Sequence, residues 1–206
     1  MAPGNIILWS VDIQEDFMLP GGKLYVPGAE RLLPKIKKLT DVARHNHALL
    51  VSHGCFHPPD DPEFEQFPPH CLKGTDGARF VPEAMTRNFA HLENHHAHKL
   101  PDDLSKYQQI VLEKQTFDIF DTHHAHSLVE RLGAHPEFIV FGVVTEYCVK
   151  CAAKGLLDRR RKVSVVQDAI ETLDPAVGGA TLSELQNLGA NLITTEQALA
   201  KFPPKH

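Results

Sequence analysis

The stretch Phe138-Ile139-Val140-Phe141-Gly142-Val143-Val144-Thr145-Glu146-Tyr147-Cys148-Val149-Lys150-Cys151 changes character half-way along. Phe138–Phe141 is a continuous apolar run, the pattern of a strand buried on both faces. From Cys148 to Arg161 Ala, Leu and Lys dominate, and Val149, Ala152, Ala153, Leu156 and Leu157 recur at helical spacing. Cys148 is therefore expected where a strand hands over to a helix. The unpaired N–H groups of a helix start, together with the macrodipole, favour a thiolate there.

The same alternation runs through the chain in both directions. Further strands are predicted over Asn5–Val11, Ala48–Ser52, Ile110–Glu113, Lys162–Gln167 and Asn191–Thr194, besides Glu137–Val143. Helices are predicted over Gly28–Asn46, Thr122–Leu132, Pro175–Leu188 and Glu196–Lys201. Strand and helix alternating six times predict an α/β fold: one domain over residues 1–206, with a doubly wound (Rossmann-like) six-stranded parallel sheet and helices on both faces. The expected strand order is 3-2-1-4-5-6, which places the first and fourth strands side by side. The long stretch His53–Arg79 is rich in Pro, Gly, Asp and His and has no period, as functional loops often are. Val81–Ser105 gives no assignable pattern.

Composition narrows the function classes. The 206 residues, 42% hydrophobic and 23% charged, suit a single globular domain with a sizeable core. A formal net charge of −5 gives no support for nucleic acid or an anionic membrane as partner. The apolar run Ile6–Trp9 is too short for a membrane span and has no basic region before it, so a cytoplasmic protein is expected. Four cysteines in a chain this long do not make a disulfide scaffold, and are read as catalytic, metal-binding or inert.

Three polar residues directly follow apolar strands: Asp12, Lys114 and Cys148. In a doubly wound sheet, groups at the carboxyl ends of strands gather around the crevice where the strand order reverses. A thiol nucleophile needs a proton acceptor and donors for an oxyanion. Asp12 is a candidate base if burial raises its pKa, and Lys114 supplies a compensating positive charge. That set of groups fits attack on an amide carbonyl followed by thioester hydrolysis. Spacing alone leaves the bland readings open: Asp12 as a cap, Cys148 as a packing residue.

Val11-Asp12-Ile13-Gln14-Glu15-Asp16-Phe17, Phe67-Pro68-Pro69-His70-Cys71 with Gly74-Thr75-Asp76-Gly77-Ala78, Lys114 after a strand, and Gly142-Val143-Val144-Thr145-Glu146-Tyr147-Cys148-Val149 occur in this order. Together they resemble the isochorismatase-like cysteine hydrolases, most of all the nicotinamidases, from about Ile6 to Ile193. The resemblance implies a Cys148–Asp12–Lys114 triad and a cis peptide between Val143 and Val144. It also implies an oxyanion hole built from the N–H groups of Val144 and Cys148. Phe17 and Phe67 fall where nicotinamidases keep aromatic groups around a planar substrate ring; Phe120 and Tyr147 are further candidates for the pocket. A small-molecule substrate and a homo-oligomer are implied as well.

The match departs from the pattern at the metal ligands. Nicotinamidases carry Asp-x-His after the second strand and a further His in the Pro-Pro-His stretch. Here these positions read Cys55-Phe56-His57 and His70, and Glu63 stands where some members have another His. Cys55, His57, His70 and Glu63 could hold zinc, or the metal could be absent altogether. The metal in this family is thought to hold the pyridine nitrogen, so the change bears on the substrate more than on the triad. The other histidines, His91–His98 and His123–His126, read as solvated surface groups.

Three other functions stay open. Cys148-x-x-Cys151 at a strand-to-helix junction is also the placement of a thiol-disulfide redox pair. An isochorismatase-type hydrolase of a vinyl ether shares the fold, and so would a catalytically silent partner protein.

Overall fold

Each apolar run named above becomes a parallel strand in the computed structural model, which describes residues 5–202. Both ends of the domain expected over 1–206, residues 1–4 and 203–206, lie outside the described residues. In chain order the elements are β1 (Ile6–Val11), α1 (Glu15–Met18), α2 (Leu33–Arg44), β2 (Leu49–Cys55), β3 (Phe89–Leu92), β4 (Gln109–Lys114), α3 (Ala125–Leu132), β5 (Glu137–Gly142), α4 (Lys150–Asp158), β6 (Lys162–Ile170), α5 (Pro175–Asn187), β7 (Asn191–Ile193) and α6 (Thr195–Leu199). The sheet order is β3-β4-β2-β1-β5-β6-β7, with every pairing parallel.

The expected six strands are therefore seven. The added one, β3, lies within the unassigned Val81–Ser105 segment and pairs with β4 at the sheet edge, Phe89 opposite Gln109. It is four residues long and largely exposed, so neither length nor alternation marks it in the sequence. With β3 set aside, the order of the other six is the expected 3-2-1-4-5-6.

Alternation along β1 divides the core. Ile7, Trp9 and Val11 face a layer built by α3, α4 and α5 through Leu128, Ala152, Leu156 and Leu185. Leu8 faces the opposite layer, where α2 and α6 contribute Ile36, Leu39 and Ala198. Helices thus cover both faces, as a parallel sheet requires. β1 is central, with β2 on one side and β5 on the other. The crevice between their carboxyl ends is the switch point.

The helix expected from Cys148 begins instead at Lys150, and Thr145–Val149 forms a π-helical turn before it. Its anchors explain the wider turn. The Thr145 N–H and hydroxyl both donate to the Glu171 carbonyl, at 2.9 and 2.7 Å. The Glu146 carboxylate accepts from the Thr172 hydroxyl and from the Leu173 and Asp174 N–H groups. The turn is thereby tied to the loop after β6 rather than left to continue α4.

Candidate active site

Four side chains from four successive positions across the sheet meet at this crevice. Lys114 ends β4 and lies in register with Cys55, the last residue of β2. Asp12 follows β1, and its N–H donates to the His53 carbonyl of β2 at 2.9 Å. Cys148 arrives from the π-helical turn after β5. Gly142, at φ +123°, makes that approach possible: a Cβ there would run into the Val11 carbonyl oxygen.

The ammonium of Lys114 is the hub. Its Nζ lies 3.0 Å from Asp12 Oδ2, 2.9 Å from Cys55 Sγ and 3.5 Å from Cys148 Sγ. Lys114 is wholly buried, and Asp12 almost so. Burial works against both charges, yet each stabilises the other. Burial alone would raise the Asp12 pKa, but Lys114, helped by His53, outweighs it and holds the carboxyl at about 2. Burial likewise disfavours the charged Lys114, and Asp12 with the two sulfurs overturns this, raising its pKa well above the usual.

Asp12 is therefore a strongly ionised carboxylate, not the raised-pKa base anticipated from burial. Cys148 also differs from expectation. Burial and then the Asp12 charge push its thiol well up, and Lys114 opposes them only in part. No α-helix starts at this residue, so its pKa is set by its buried neighbours. In the resting state the proton belongs to sulfur.

Behind this group stand Cys55, His57 and His70, whose ligand atoms lie within 4.8 Å of one another. The His57 Nδ1 faces Asp61 Oδ2 at 2.9 Å, and the His70 Nδ1 faces the Pro68 carbonyl at 2.9 Å. Both partners accept, so both Nδ1 atoms carry the proton and both Nε2 lone pairs are left free. His57 Nε2 is buried without a hydrogen-bond partner among the described residues. Imidazoles fixed through one nitrogen with the other turned inward are the arrangement of metal ligands, and a thiol with two imidazoles suits zinc. Glu63 stands 3.7 Å from His70 Nε2, with its pKa raised by burial. Cys55 is a neutral thiol without an ion, pushed up to about 12 by burial and the Asp12 charge.

A small cavity opens above both groups. Asp12, Cys55, Glu63, His70 and Cys148 reach it, and Phe17, Phe67 and Tyr147 line it. Phe120 does not. It stacks on Trp9 at 6.3 Å, under the Arg159 guanidinium at 3.7 Å, in the layer beneath the sheet. The remaining walls are Leu24–Val26, Phe117, Val143, Val144 and Leu173, and no residue of 81–105 is among them. The Val143–Val144 peptide is cis, as the resemblance implies.

Sequence reading missed several groups that hold this site. The Gln14 amide binds the Cys55 N–H and carbonyl and the Ala78 carbonyl, fixing the end of β2. The Asp16 carboxylate accepts from the Cys71 N–H at 2.7 Å, and a Cβ at Gly77 would collide with it. The spacing His57–Asp61 was a usable signal for a carboxylate behind an imidazole. His53 carried no signal beyond its place in a buried strand.

The family model of the isochorismatase domain matches residues 87–197, more than half of the chain. The chain belongs to the isochorismatase family. Within it, the chain is 24% identical to the nicotinamidase of Escherichia coli (strain K12), covering 94% of this chain and 96% of that one. The structure is similar to pyrazinamidase of Pyrococcus horikoshii in complex with zinc, at TM-score 0.73 and 25% identity over 92% and 99% of the two chains. An isochorismatase-like hydrolase from Alkaliphilus metalliredigens matches with TM-score 0.76 and 21% identity over 96% and 98%. Family and nicotinamidase relative together point to a hydrolase acting on non-peptide C–N bonds. Among the described residues no helix is long and apolar enough to cross a membrane.

Proposed function

We propose that this isochorismatase-family chain is a cysteine-dependent amidohydrolase of a small, planar, uncharged carboxamide. One observation carries the reading: Lys114 Nζ touches both Asp12, at 3.0 Å, and Cys148, at 3.5 Å, at the floor of an aromatic-walled cavity. The three groups sum to zero charge when the proton is on sulfur. They still sum to zero when it moves to Asp12, so the transfer adds no net charge to a buried site.

Cys148 Sγ attacks the carbonyl carbon as its proton passes to Asp12. The N–H groups of Val144 and Cys148 receive the oxyanion. The C–N bond then breaks, Asp12 returns the proton to nitrogen, and ammonia leaves a thioester on Cys148. Water attacks the thioester while giving a proton to Asp12; the C–S bond breaks, and the thiol regains its proton beside a free carboxylic acid. Lys114 stays charged throughout and balances whichever anion is present.

Cys55, His57, His70 and Glu63 are the residues that would hold a divalent ion such as zinc. A bound ion would supply a Lewis-acid point at the cavity wall, suited to a ring nitrogen. The E. coli relative is a nicotinamidase and the P. horikoshii one a pyrazinamidase. Aromatic amides with a ring nitrogen therefore head the substrate panel. Ammonia release is measured over that panel and over aliphatic amides, with Cys148→Ala as control. Release by the native chain and none by the variant is expected; hydrolysis that survives in Cys148→Ala would end the proposal.

A further inference from the structure

We infer that His53 is a positioning residue for Asp12, holding through its Nδ1 the carboxylate oxygen that Lys114 does not take. His53 lies on β2 opposite Val11 and is completely buried. Its Nδ1 is 3.6 Å from Asp12 Oδ1, while Asp12 Oδ2 faces Lys114 Nζ at 3.0 Å. The two carboxylate oxygens are thus divided between an ammonium and an imidazole. The spacing is built into the sheet, because the Asp12 N–H is bonded to the His53 carbonyl at 2.9 Å. Trp9 flanks the ring at 6.0 Å and limits its movement.

Neither His53 nitrogen has a hydrogen-bond partner among the described residues, and neither has either Asp12 oxygen, although the Lys114 ammonium lies 3.0 Å from Oδ2 as an ion pair. A buried donor and a buried acceptor that face each other unpaired cost free energy, and such groups ordinarily find partners. A histidine kept only for packing would be bonded elsewhere or replaced by an apolar residue of similar bulk. Hydrogen bonds of catalytic groups are often long without substrate and tighten once it is bound. A gap of 3.6 Å closes by a small rotation of the carboxylate. Asp12 must accept and return a proton twice per turnover without swinging away from sulfur. A donor on Oδ1 holds its plane while its proton load changes.

This inference rests on the reading of Asp12 as proton acceptor of Cys148, so the test reads kcat for the best amide, with Cys148 alkylation as a separate check that the thiol is intact and reachable. Iodoacetamide alkylation is followed by mass spectrometry on the peptide carrying Cys148. Asp12→Asn tests the underlying reading and must lower kcat by about 10²–10⁴-fold while Cys148 is still alkylated, since the Asp12 charge is one of the groups that holds the thiol protonated; if kcat survives, both that reading and this inference fall. His53→Leu removes the donor, His53→Asn keeps an N–H near the Nδ1 position, and His53→Gln moves it to the Nε2 position. Loss of such an outer partner typically costs about tenfold to hundredfold. That loss is expected in kcat for the Leu and Gln variants, with KM little changed. The Asn variant should return most of the rate. If Asp12→Asn is slow while His53→Leu reacts like the native chain, only the positioning role is overturned. Equal rates for the Asn and Gln variants would overturn it too, and that comparison stands even if the Leu variant fails to fold.

Discussion

Two buried groups lie side by side at the end of this sheet, and they differ in what they lack. Asp12, Lys114 and Cys148 neutralise one another within the protein. Cys55, His57 and His70 bring their donor atoms within 4.8 Å of one another, each imidazole pinned by its outer nitrogen. The first group closes its own charge balance; the second could hold a divalent ion. Lys114 touches both, through Cys148 and Cys55. The contrast teaches that equal burial and proximity do not mean equal dependence on a cofactor. A closed charge balance separates the two.

Cys148→Ala should break the first group and spare the second. Loss of the nucleophile is expected to lower ammonia release at least about 10³-fold. Zinc binding, followed by equilibrium dialysis, should be unchanged. Loss of zinc in this variant would show that the two groups are one.

Lys114→Met tests the charge balance itself. It leaves the Asp12 carboxylate buried without a counter-charge, a change that typically costs about 3–5 kcal/mol. Urea unfolding at neutral pH should show that loss. The deficit should shrink in acid, where Asp12 in the variant can take up a proton. A variant as stable as the native chain at neutral pH would mean that the pair is not closed. The native chain carries the complementary signature. Asp12 titrates at about 2 when folded against an ordinary 3.8, so its stabilising contribution is complete above about pH 4 and is lost as pH falls towards 2. The shift corresponds to about 2 kcal/mol, read from urea midpoints across that window.

Cys55→Ala sharpens the second group. Zinc affinity should fall by about tenfold or more, since one of three converging donors is removed. The native chain should bind zinc more tightly as pH rises, because the Cys55 thiol must lose its proton to ligate. Equal affinity in the variant would place the ion elsewhere in the chain.

Much of this arrangement was legible because parallel sheets leave a plain record. Buried strands such as Ile6–Val11 and Glu137–Gly142 read as apolar runs, and the residues just after them point to the switch crevice. Asp12, Lys114 and Cys148 were found that way. β3 was not legible, since an exposed edge strand of four residues leaves no period. Charge states were not legible either, because the Asp12 pKa depends on where the Lys114 ammonium stops, 102 positions along the chain. Phe120 was misplaced for a related reason: an aromatic in a loop serves the core or the pocket equally well until Trp9 and Arg159 are seen to claim it. The clustered histidines show the opposite case. His95 and His96 lie side by side on the surface, ring centroids 4.3 Å apart and tilted, whereas the well-separated His57 and His70 converge with Cys55.

The smallest effect is expected at Cys151, which shares the Cys-x-x-Cys spacing with Cys148 but not its surroundings. Cys151 lies in α4, half-buried, and is not among the residues lining the cavity. Burial pushes its thiol up, with Asp118 adding to the effect. A redox pair needs the second thiol to be reactive, because it must attack the mixed disulfide formed on the first. A hydrolase needs only the first. Cys151→Ser should therefore change ammonia release by no more than about twofold, as surface-side substitutions away from a site usually do. Release that collapsed in Cys151→Ser while zinc binding held would show that turnover needs Cys151 as well as Cys148, which a hydrolase with a single nucleophilic thiol does not.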